Sequence, residues 1–120
     1  MEAWESWLGE RRLAVVATAG ADGMPHAVPV EVVVDAGKAY VWCRASSVKA
    51  RQAARSGTAA IVAYKNLDFV LLRGTARILT ASDPSYERLT NAFLAKYERT
   101  ETYGNDALIQ ITPERISART

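Results

Sequence analysis

Ala39-Tyr40-Val41-Trp42-Cys43-Arg44-Ala45-Ser46-Ser47-Val48-Lys49-Ala50-Arg51-Gln52 is the stretch on which the fold turns. Its first half alternates, with Tyr40, Trp42 and Arg44 on one side of a strand and Ala39, Val41 and Cys43 on the other. Its second half does not. Ser46 and Ser47 are residues that cap helices, and the positions from about Val48 to Arg55 read as a helix that stops at Gly57, a C′ glycine. A strand therefore feeds directly into a short helix.

Working outward, Trp4, Trp7 and Leu8 recur at helical spacing and predict a short amphipathic helix over about Glu2 to Glu10. Leu13 to Thr18 is a β-prone apolar run that ends at Asp22-Gly23, a tight-turn pair. A second strand is expected as one piece from about Pro25 to Val34, with Val28, Val30, Val32 and Val34 sharing a face. Asp35-Ala36-Gly37 then reverses the chain. Two more strands are expected at about Ala59 to Tyr64 and Phe69 to Leu79, followed by a helix capped by Asp83, with Pro84 first and Tyr86, Leu89, Phe93 and Tyr97 as its apolar stripe. A last strand is read at Leu108 to Ile111. The order α-β-β-β-α-β-β-α-β lacks a helix between every pair of strands, so a mainly β (α+β) antiparallel barrel fits it better than a parallel sheet. Length sets the domain count: 120 residues make one domain, residues 1–120.

Composition narrows the function. A formal net charge of +2 is too small to argue for nucleic acid, and Arg51 and Arg55 lack the interleaved aromatics that single-strand binding uses. One cysteine and one histidine cannot build a structural zinc site or an intrachain disulfide, so a reducing compartment and no metal are expected. No apolar run reaches the length of a membrane span and no signal peptide is evident, so no membrane partner and a cytoplasmic location are expected. Lone His26 reads as a structural or exposed strand residue and Cys43 as a small buried hydrophobe. Trp42 fits core filling and cofactor packing equally well, while Pro29 marks a strand edge or a place where no ladder donor is needed.

The chemistry concentrates where strand meets helix. Free N–H groups at a helix start attract anions, and the Ser47 hydroxyl with the Lys49 cation would complete a phosphate cradle. Lys49 and Arg51 in the first turn oppose the helix macrodipole unless an anion offsets them. A plain capped, solvated helix is the competing reading.

Gly23-Met24-Pro25-His26-Ala27-Val28-Pro29-Val30, Tyr40 to Arg44, Ser47 to Arg51, Arg73-Gly74-Thr75-Ala76-Arg77-Ile78 and Ile111-Thr112-Pro113-Glu114-Arg115-Ile116-Ser117 together resemble the pyridoxamine 5′-phosphate oxidase-like split barrels that bind FMN or the 8-hydroxy-5-deazaflavin coenzyme F-420. The resemblance implies a six-stranded antiparallel split β-barrel with flanking helices, and a homodimer with cofactor sites at the subunit interface. It places the phosphate on Ser47 and Lys49 with Val48 between them and Arg51 and Gln52 beside them. The ring is placed along Val30, Glu31 and Val32 and the pair Trp42 and Cys43, with Leu67, Asp68 and Phe69 approaching from the partner. The family's longer C-terminal segment, whose Arg and His residues grip pyridoxamine phosphate, has no counterpart before Thr120, so another small-molecule substrate is expected. Glu31 stands where relatives carry a lysine or a large polar or aromatic residue, and its carboxylate could accept from a ring N–H or repel a reduced ring. The implied function is an oxidoreductase whose cofactor, FMN first and F-420 second, carries hydride to an organic acceptor. A flavin-storing or flavin-sensing module is the alternative, and a haem protein of this shape would lack an axial ligand beyond His26.

Overall fold

The computed structural model describes residues 1–100 and 102–120. Among these residues three helices, α1 (Ala3–Gly9), α2 (Val48–Ser56) and α3 (Tyr86–Tyr97), accompany seven strands: β1 (Ala14–Ala19), β2 (Pro25–Val30), β3 (Val33–Asp35), β4 (Lys38–Arg44), β5 (Thr58–Lys65), β6 (Asp68–Leu79) and β7 (Asp106–Arg119). They form one sheet in the order β2-β1-β5-β6-β7-β4-β3, and each neighbouring pair is antiparallel. Val16 and Val30 from one end of that order share a buried cluster with Val41 and Ile109 from the other. Side chains from both ends can meet only if the sheet curls on itself, which makes it a split barrel. Trp4 and Leu8 of α1 and Ala50 and Ala53 of α2 complete that interior.

A second cluster lies on the opposite face of β4 and β7. There Leu89 and Phe93 of α3 pack on Tyr40, Trp42 and Leu108. Alternation along β4 thus divides the strand between two cores, Val41 and Cys43 facing one and Tyr40 and Trp42 the other.

The barrel has seven strands rather than six because the expected strand from Pro25 to Val34 is cut at Glu31 and Val32. β2 pairs only with β1, and β3 pairs only with β4, at opposite ends of the sheet order. Glu31 and Val32 therefore span the split between the two sheet edges. Pro29, opposite Val15, sits on an edge strand as its missing N–H requires. Val32 buries its side chain completely, yet neither its N–H nor its C=O joins a ladder. Helix α3 supplies the missing partners. Val32 N–H donates to the Tyr97 hydroxyl over 2.9 Å, and Lys96 Nζ donates to Val32 C=O over 2.6 Å.

Two further boundaries differ from the sequence reading. Asp83 does not cap α3: its carboxylate accepts from Thr80 N–H at 2.9 Å and from Arg77 at 2.6 Å, which closes the turn after β6 and holds its pKa below the usual range. Ser85 takes the N-cap position with no side-chain bond, and the helix begins at Tyr86. The last strand extends to Arg119, well past Ile111, because its polar second half pairs with β6. A bulge interrupts that pairing between Arg73 and Gly74, where a Cβ on Gly74 would overlap the Thr112 carbonyl oxygen. Only glycine fits there.

Candidate functional site

At the end of β4 the chain turns into α2 around a cavity of about 280 Å³ lined by Trp42, Cys43, Arg44, Ser46, Ser47, Lys49 and Tyr103. Ser47 is the N-cap, extended at φ −65° and ψ 154°, and its hydroxyl accepts from Ala50 N–H at 3.3 Å. At the other end Gly57 takes φ 70° as the left-handed cap, so both local signals operate as the sequence predicts. The first turn of α2 carries no acidic residue. Lys49 consequently brings a cation to N–H groups that already carry partial positive charge, an arrangement that suits an anion.

Two buried polar atoms lie near the cavity. Trp42 is 3 % exposed, and its indole N–H makes no well-aligned hydrogen bond among the described residues, although the Tyr86 hydroxyl lies close enough to feel it. One carboxylate oxygen of Asp106, next to Cys43 and Arg44 across the ladder, is also buried and unpartnered. The Tyr86 hydroxyl, or water, would satisfy the indole. Burial pushes the Cys43 thiol up, and Asp106 adds to this, while the Ser47 hydroxyl and Lys49 pull the other way. The thiol therefore stays protonated near neutrality, which suits a packing group and not a nucleophile.

Of the residues singled out in the sequence, Trp42, Cys43, Ser47 and Lys49 meet at this cavity. Val48, Arg51 and Gln52 do not line it. Val48 is 39 % exposed, Arg51 is exposed, and Gln52 turns toward β1, where its carbonyl oxygen accepts from the Thr18 hydroxyl at 2.7 Å. Val30 and Val32 point into the barrel core. Glu31 alone of the three turns its side chain outward, and Arg99 donates to it over 2.6 Å. Leu67 lies in the β5–β6 turn, 74 % exposed, and Asp68 and Phe69 begin β6 paired with Lys65 and Tyr64. None of them lines the cavity within the chain.

Arg44, Tyr103 and Arg99 were not singled out as site residues in the sequence, and Ser46 was read only as part of the helix cap. Arg99 lies over the rings of Trp42 at 5.0 Å and Tyr103 at 4.6 Å, and it bonds the Tyr103 hydroxyl at 3.1 Å. This ties the wall of the cavity to the carboxylate at the barrel's split. No local pattern announces it, because both residues follow the end of α3 where periodicity has stopped. A larger groove of about 560 Å³ lies on the outer sheet face, lined among others by Ala17, Ala60, Arg73 and Arg115. It has no helix N-terminus and is the less suited of the two to a phosphate. No helix among the described residues is long and apolar enough to cross a membrane.

The sequence profile of the family described as pyridoxamine 5′-phosphate oxidase matches residues 1–120. No curated protein matches the chain at a significant level. Among solved structures, a conserved hypothetical protein from Mycobacterium tuberculosis superposes with a TM-score of 0.81 at 21 % identity, over 98 % of this chain and 84 % of its own. An F-420 reductase superposes with a TM-score of 0.79 at 19 % identity, over 98 % of each chain. An FAD-binding protein from Mesorhizobium loti reaches 0.74 at 16 % identity, over 98 % of this chain and 94 % of its own. At these identities the likeness establishes the split-barrel fold.

Proposed function

The chain belongs to the pyridoxamine 5′-phosphate oxidase family, and on that premise we propose that it is an oxidoreductase that binds FMN, or alternatively the deazaflavin F-420, by its phosphate at the α2 N-terminus. The observation that carries this reading is the cavity where Ser47 and Lys49 converge on a helix start that has no acidic residue in its first turn. The residues fit such a group. Lys49 would supply the charge-assisted bond and Ser47 its hydroxyl. F-420 and FAD are ligands named for structural relatives, which makes a flavin-type group the class to test first.

A bound flavin supplies hydride chemistry from its ring, so the protein needs no catalytic triad. Among the described residues the cavity's lining offers hydroxyls, cations and a thiol, groups that bind and orient, and Cys43 stays a neutral thiol. Storage or sensing of the same cofactor is the competing role, distinguished by the absence of turnover with reduced pyridine nucleotide or reduced deazaflavin and an acceptor. A homodimer is part of the proposal. The outer sheet face offers small side chains, Ala17, Ala19 and Ala60, ringed by Arg73, Arg115 and Glu114, so two copies could pair opposite charges about a two-fold axis. The buried, unpaired Cys43 suits a reducing cytoplasm.

The test is titration of FMN and of F-420 into wild type and Lys49→Ala, with melting curves of both apo proteins. A hydrogen bond to a charged group contributes ~1.5–3 kcal/mol, so affinity should fall about 10- to 150-fold. Apo stability should hold or rise by a few tenths of a kcal/mol, about the size of a relieved macrodipole conflict. Unchanged affinity for both cofactors would refute the phosphate cradle.

A further inference from the structure

Glu31 is a carboxylate at the split of the barrel, and taken alone it would repel an electron-rich ligand. The structure does not leave it alone. Arg99 Nη1 lies 2.6 Å from Glu31 Oε1, and the same nitrogen lies 3.1 Å from the Tyr103 hydroxyl. The guanidinium is held over Trp42 and Tyr103, whose rings meet edge-on at 5.9 Å. The pair is largely sheltered, with Arg99 and Glu31 side chains 23 % and 27 % exposed. Glu98, the residue before Arg99, adopts the left-handed conformation at φ 53°, which glycine would take without cost, and the Arg99 N–H closes the end of α3 on Leu94 C=O. A strained residue, two aromatic faces and an ion pair all serve to place one cation. That is more than a surface salt bridge receives.

We propose that Arg99 is a positioning residue for the redox site: by pairing with Glu31 it balances the charge at the barrel's split, so that the site tolerates a ligand that becomes more negative on reduction. The inference rests on the flavin-type reading and on the ring lying along Glu31. Uptake of a hydride, two electrons with one proton, adds one unit of negative charge to a ring system until a second proton arrives from solvent. An unpaired carboxylate nearby would disfavour that state, and an unpaired guanidinium would favour it. Tyr103 connects this pair to the phosphate cavity, since it lines that cavity and holds Arg99.

The experiment measures the reduction potential of bound FMN, and of bound F-420 in a parallel arm, in wild type, Arg99→Gln, Glu31→Gln and the double variant, together with affinity for the oxidised form. Arg99→Gln should lower the potential by about 30 mV, a tenfold loss in the ratio of reduced-form to oxidised-form affinity for a two-electron couple. Glu31→Gln should raise it by a similar amount, and the double variant should return near wild type. Glu31→Gln removes the charge and keeps an oxygen that can accept from Arg99, so it carries the test even if Arg99→Gln folds poorly. A merely structural Arg99 would lower the melting temperature and leave the potential in place. Equal potentials in all loaded proteins would overturn this inference and spare the flavin reading, whereas failure of wild type to bind either cofactor would overturn that reading and this one with it.

Discussion

The hydroxyl of Tyr97 sits 2.9 Å from the backbone nitrogen of Val32 and is also 3.1 Å from the Val32 carbonyl oxygen and 3.0 Å from that of Arg12. One side chain at the end of α3 thereby receives the N–H that the interrupted strand cannot pair, and gives its single proton to one of two carbonyls. Tyr97→Phe would leave Val32 N–H without its acceptor while keeping the ring stacked on Phe93 at 6.2 Å. A buried donor left unsatisfied costs about 1–3 kcal/mol. Urea unfolding should show a loss in that range with an unchanged slope, and a loss under ~0.3 kcal/mol would mean that water replaces the hydroxyl.

Lys96 reaches the same carbonyl from the other side, and burial, together with the charges of Arg12 and Arg11, lowers its pKa to about 8. The folded state therefore binds fewer protons than the unfolded chain between about 8 and the ordinary lysine value. Stability should rise with pH across that window, the penalty being complete below it. Cys43 and Tyr97, both raised by burial, act in the opposite sense at higher pH. The difference between wild type and Lys96→Met isolates the lysine. The midpoint of wild type should rise relative to that of Lys96→Met as pH goes from 7 to 9.5, and a constant difference would contradict the shifted lysine.

Gly74→Ala should be among the most damaging single changes, because its Cβ would meet Thr112 and Glu114 backbone at the β6–β7 bulge and neither can move without unpairing the longest ladder. Overpacking against mobile side chains costs about 1–3 kcal/mol; against backbone the cost should lie at or above that. A melting temperature within two or three degrees of wild type would show that the bulge relocates.

Phe93→Ala removes a fully buried ring that touches Trp42 at 5.7 Å. A loss of about 3–5 kcal/mol is expected in chemical denaturation. Because Trp42 also lines the cavity, its fluorescence should change in the folded variant as its neighbour is lost.

Residues that interact with their near neighbours were legible in the sequence. Ser47 and Gly57 bracket α2 because a hydroxyl at the start and a left-handed glycine at the end act within one helical turn. Asp22 accepts from Met24 N–H in the first hairpin, and Leu89 and Phe93 share a face by helical period. The junction of β4 with α2, and with it Ser47 and Lys49, came from such local signals, sharpened by the family resemblance. The run after Ile111, interrupted by Pro113, has no strand periodicity of its own; the resemblance touched it only as far as Ser117, and its pairing with β6 carries the strand on to Arg119.

Tertiary structure decided what depends on partners far along the chain. Nothing between Pro25 and Val34 says that β2 and β3 belong to opposite edges of the sheet, since their alternation is continuous and the break is fixed by which strands lie beside them. Val32 finds its hydrogen bonds 64 and 65 residues away on α3, and Glu31 finds its counter-charge 68 residues away. A backbone group at a barrel's split must be satisfied by whatever the closed fold brings to it, and a sequence encodes that partner only through the fold.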